Sequence, residues 1–117
     1  MAVKYTRKMK GKKFIIEAEG LGIEEQIRSF GGKRCERVKF AWLWKHDAHT
    51  IILDDGNDWE VEASGWRHGG FSSERSNVES AARSYLRDME KWDRVRGIER
   101  LPHYQTMIVE IQEGEVQ

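Results

Sequence analysis

The residues best suited to chemistry stand together in Gly65-Trp66-Arg67-His68-Gly69-Gly70-Phe71-Ser72-Ser73, just ahead of the longest amphipathic segment. The first turn of a helix leaves backbone N–H groups without intrahelical partners, and anions settle there. A phosphate in that position can accept bonds from the backbone of Gly70, Phe71 and Ser72 and from the Ser72 and Ser73 hydroxyls, while Arg67, His68 and Arg75 add charge. The stretch is neither a Walker loop, because no Gly-Lys-Ser/Thr follows, nor a Gly-x-Gly-x-x-Gly dinucleotide fingerprint. A plain connection explains the same residues: glycines turn the chain, Phe71 fills the core and a serine caps the helix. Both readings stand at this point.

Basic residues offer a second surface. Met1 to Lys13 carries Lys4, Arg7, Lys8, Lys10, Lys12 and Lys13 without an acid, whereas Phe14 to Trp66 holds eleven acids against six bases. A basic arm over residues 1–11, with Lys8 and Lys10 in it and Lys12 just after it, can track phosphates, or fold back on the acidic middle. Arg83, Arg87, Lys91 and Arg94 share a helical face that could follow a nucleic-acid backbone. Glu79 and Glu90, each four residues ahead of an arginine, point instead to intrahelical ion pairs with Arg83 and Arg94.

Five tryptophans are many for 117 residues. Some must fill the core, and an exposed one is a common anchor of a protein interface. Trp42, Trp44, Asp54, Asp55, Asp58, Trp59 and Glu60 are the expected protein-binding residues, an aromatic face beside an acidic hairpin. His46, Asp47 and His49 have the residue types of a metal-dependent hydrolase, but no third ligand follows at a fixed spacing, so no metal or other cofactor is expected.

Periodicity places these residues on elements. Lys12 to Glu19 alternates as a strand, Ile23, Ile27 and Phe30 have helical spacing, and Arg34 to Lys45 alternates again with Val38, Phe40, Trp42 and Trp44 on one side. Thr50 to Leu53 and Trp59 to Ala63 flank the Asp54–Asp58 turn, which predicts an antiparallel meander with the preceding strand. Val78, Ala81, Ala82, Tyr85, Leu86, Met89 and Trp92 predict a helix over 73–95, and His103 to Ile111 a last strand before a frayed tail at 113–117. The expected fold is α+β, one antiparallel sheet of four or five strands with the long helix across one face, in a single domain.

Composition bounds the class. With 38% hydrophobic residues and 34% charge, the chain can bury one core. One cysteine, Cys35, excludes an internal disulfide and makes a reducing cytoplasm the natural setting. No apolar run reaches the roughly 18 residues of a membrane span.

The three predicted strands from Val38 to Ala63, followed by Gly69-Gly70-Phe71-Ser72 and Val78-Glu79-Ser80-Ala81-Ala82-Arg83-Ser84-Tyr85-Leu86, resemble the three-strand-plus-helix modules of plant ethylene-response transcription factors and phage integrase arm-binding domains. That resemblance implies a sheet face entering the DNA major groove, where Trp42, Trp44 and Lys45 would lie; Glu60, Glu62 and the aspartate turn would oppose phosphate. The leading expectation is a non-catalytic binding protein of the phage or mobile-element accessory type, blocking a protein partner as anti-defence inhibitors do. A nucleic-acid- or nucleotide-binding protein and a metal-dependent hydrolase are the alternatives, and antiparallel edges with surplus tryptophan make a homodimer an added expectation.

Overall fold

The computed structural model describes residues 3–25, 30–31, 33–52, 56–95 and 104–114. The fold is α+β, but its strands divide among three sheets. Residues Lys4–Lys10 form β1 and Lys13–Glu19 form β2, an antiparallel hairpin whose Gly11 adopts φ +65°, the left-handed value asked of the first central residue in a two-residue turn. The basic segment is therefore a strand and not an arm. Alternation explains why: Tyr5 and Arg7 are buried, while Lys4, Lys8 and Lys10 stand at alternate positions facing outward.

On the other side of β2, Phe30–Gly31 adds the short β3; of the helix expected over Ile23 to Phe30, Ile23–Glu25 is a 3₁₀ turn, and Ile27 lies outside the described residues. Ile23 is fully buried and Phe30 pairs opposite Ile16, so two of the three apolar residues that suggested a helix serve a core and a strand instead. Beyond β1, Gln112–Glu113 forms β9, parallel to β1. The predicted frayed tail is thus partly a strand, and Gly114 donates to the Arg7 carbonyl at 2.7 Å. The order in this first sheet is β3-β2-β1-β9.

The second sheet runs β7-β4-β8, from Arg67–Ser72, Phe40–His46 and Tyr104–Glu110. The strand predicted over 34–45 starts later because Lys33–Glu36 winds as a 3₁₀ turn that buries Cys35. His49–Ile52 and Asp58–Val61 pair with each other as β5 and β6, a two-stranded sheet among the described residues. The expected meander through Val38 to Ala63 is not formed: β4 is flanked by β7 and β8, and the acidic hairpin is a separate two-stranded unit.

Ala41 and Leu43 on β4 face the first sheet, sharing a core with Tyr5, Ile16, Ala18, Ile23, Val38 and Ile111. Helix α1, Arg75–Val95, packs on the opposite face of the second sheet and buries Val78 and Ala82. The layers are sheet, sheet, helix. After Glu110 the chain passes through buried Ile111 into β9, so one segment belongs to both sheets and makes their corner. The molecule measures 58 × 26 × 23 Å. No helix among the described residues is long and apolar enough to cross a membrane.

Candidate binding surfaces

The glycine-serine stretch is strand, not loop. Gly70 pairs with Trp42 inside the second sheet, and a β-bulge at Gly69 shifts the register before His68 meets Leu43. Strand alternation then sends neighbouring residues of the predicted anion site to different places. Arg67 is exposed on the helix side, its guanidinium 5.8 Å from the centre of the Trp44 ring. His68 points toward the first sheet, where its Nδ1 shares a 2.9 Å hydrogen bond with the Tyr5 hydroxyl and its ring lies 4.4 Å from that of Phe71. Burial lowers the His68 pKa to about 4 and raises that of Tyr5, so His68 is neutral at pH 7 and adds no charge to an anion site.

Ser72 is also engaged. Its Oγ accepts bonds from the Glu74 N–H at 3.2 Å and the Asn77 side-chain amide at 3.1 Å, which ties the end of β7 to the start of α1. Ser73 is exposed beside it. The structure therefore sends Arg67 and His68 to opposite faces of β7 and engages Ser72 at the start of α1; of the connection reading, Ser72 at the helix start and Phe71 against the core are found, while the glycines make room for Trp42 within a strand and do not turn the chain.

The tryptophans divide in the same manner. Trp42 lies flat against the glycines of β7: a Cβ built at Gly69 would stand 2.4 Å from its ring. Above it sits Tyr85 of α1, at 5.8 Å between ring centres, and Trp44 meets Tyr85 at 5.2 Å. Trp42 and Trp44 thus join helix to sheet, correcting their expected place in a protein interface. Nearby, the Tyr104 hydroxyl donates to the buried Asp93 carboxylate at 2.7 Å, and burial with the Asp93 charge pushes Tyr85 up to about 12. Sequence reasoning missed this pair, although Asp93 follows Met89 by four residues and so shares the phase of the buried stripe.

Trp59 is 63% exposed, on a hairpin that touches β4 at its root, where the His49 ring lies edge-on to that of His46 at 5.4 Å. Its root is fixed by Ser64, whose N–H donates to the His46 carbonyl at 3.0 Å while its Oγ accepts from the His46 N–H at 2.9 Å. Glu60 and Glu62 are exposed with Trp59, and Asp58 opens β6; Asp54 and Asp55 lie outside the described residues. At the hairpin's root His46 and His49 both set Nδ1 against the Asp47 carbonyl, at 3.1 and 2.9 Å. No group of three or more His, Cys, Asp or Glu that could hold a metal occurs among the described residues.

The remaining basic residues lie on two surfaces. Lys8 pairs with Glu17 across the β1–β2 ladder at 2.8 Å, leaving Lys10, Lys12 and Lys13 exposed around the turn. Arg7 contacts the Val38 carbonyl just before β4, whereas Tyr5 meets His68 beside Leu43. The lysine turn consequently lies toward the start of β4 and the acidic hairpin beyond its end, so opposite charges occupy opposite poles. Arg83 and Arg87 are exposed on the outer face of α1. No family model, curated protein or solved structure matches this chain.

Proposed function

We propose that this chain is a non-catalytic binding protein that docks the β5–β6 hairpin onto a basic surface of a protein partner and blocks it. The observation that carries this reading is the exposure of Trp59 on a two-stranded hairpin that lies outside the two larger sheets. An isolated two-stranded hairpin is marginally stable, so one that stands away from the core gains order from whatever it binds. Trp59 supplies the apolar anchor, and Glu60 with Glu62 the charge that steers it.

Affinity capture from nuclease-treated lysate, with wild type, Trp59→Ala and Glu60→Lys/Glu62→Lys as baits, tests the reading. Wild type is expected to retain a stoichiometric protein that leaves as salt is raised. Trp59→Ala should weaken capture by about 30-fold, as loss of an interface hot spot does. Equal capture by all three baits, or none by wild type, would overturn the proposal.

A further inference from the structure

The outer face of α1 is a second, independent surface. At about 100° per residue, Ser76, Ser80, Arg83, Arg87, Lys91 and Arg94 fall within an arc about 80° wide, opposite Val78 and Ala82. No acid falls inside that arc. The expected ion pairs are only half realised: Glu90 holds Arg94 at 2.5 Å, but Glu79 binds Arg75 at 2.9 Å rather than Arg83. Arg83, Arg87 and Lys91 are exposed and have no ion-pair partner among the described residues; Arg87 reaches only the Ser84 hydroxyl, at 3.2 Å.

We infer that this stripe contacts the phosphate backbone of a nucleic acid. Three cations at four-residue intervals repeat about every 6 Å along the axis, and guanidinium forks with adjacent serine hydroxyls suit phosphate oxygens. The Val78 and Ala82 face of α1 is occupied by the second sheet, and Trp92 is the one large apolar side chain exposed among the described residues of the helix, too little apolar surface for it to lie in a lipid interface. The contact carries no base readout and is therefore tolerant of sequence.

Fluorescence anisotropy with a labelled, short, mixed-sequence DNA duplex, read across a salt series, tests the inference. Neutralisation of three phosphates predicts about a 40-fold loss of affinity between about 50 and 200 mM salt. Arg83→Ala/Arg87→Ala/Lys91→Ala should abolish binding while keeping the helical circular dichroism, since alanine favours helix. Lys10→Ala/Lys12→Ala/Lys13→Ala and Trp59→Ala should bind as wild type does. Loss of binding in the lysine-turn variant with retention in the stripe variant would overturn the assignment, as would absence of binding at about 50 mM salt. Binding to anionic phosphatidylserine vesicles that exceeds binding to the duplex would assign the stripe to a membrane and equally sink the proposal.

Discussion

A methyl group added at Gly69 would meet Cδ2 and Cε2 of Trp42 at 2.4 Å, well inside van der Waals contact. Trp42 has little room to retreat, with Tyr85 above it. Gly69→Ala is therefore expected to destabilise the fold by about 2 kcal/mol, the cost of overpacking a filled site, read as a lower urea midpoint without a change in slope. A midpoint equal to that of wild type would show that the indole is not held against β7. The need for small residues at 69 and 70 was visible in the sequence, but their reason was not. Turn formation and close approach of an aromatic ring both call for glycine, and only the pairing of β7 with β4 distinguishes them. Trp59 lies between Asp58 and Glu60, whereas Trp42 lies between Ala41 and Leu43; apolar residues on both sides of a strand show that both faces are covered, and only the assembled fold shows that the helix covers the Trp42 face.

The helix was legible because seven apolar residues recur at its period, and its observed start at Arg75 differs from the expected 73 by two residues. Sheet membership was not legible: alternation identifies a strand, and carries no information on which neighbours it takes. Thus β4 was placed beside β5, its neighbour in sequence, although it pairs with β7 and β8. At the far end of α1, Asp93 places a negative charge where the helix dipole disfavours it, in a buried position. The Tyr104 hydroxyl offsets this and fastens the end of the helix to β8. Tyr104→Phe should cost about 2 kcal/mol, because the buried carboxylate loses a donor. Asp93→Leu/Tyr104→Phe should recover most of that loss, because the buried carboxylate that needed the donor is gone with it. Denaturant unfolding of both variants checks the pair, and a double variant weaker than Tyr104→Phe would remove this account of it.

Across the whole molecule, the Tyr5–His68 bond joins the two sheets, and its response to acid is a property of their junction. The folded state keeps His68 neutral down to about pH 4, whereas the unfolded chain protonates it near 6.5. Between these values the unfolded chain binds the extra proton, so stability is complete above pH 6.5 and falls as the pH drops toward 4. Urea midpoints measured from neutral to acid pH should fall through this window, and less steeply for His68→Gln. An identical acid slope in that variant would assign the sensitivity to other groups. The segregation of charge along the chain was legible by counting, and it emerges here as a lysine turn and an acidic hairpin at opposite poles. The corner at Ile111 has a separate consequence, for synthesis. Because β9 pairs with β1, the first sheet gains its last neighbour only when Gln112 and Glu113 have left the ribosome. Until then the strand that carries Tyr5 and Arg7 presents an open edge, and the nascent chain must keep it from other strands while all the residues between β1 and β9 are made.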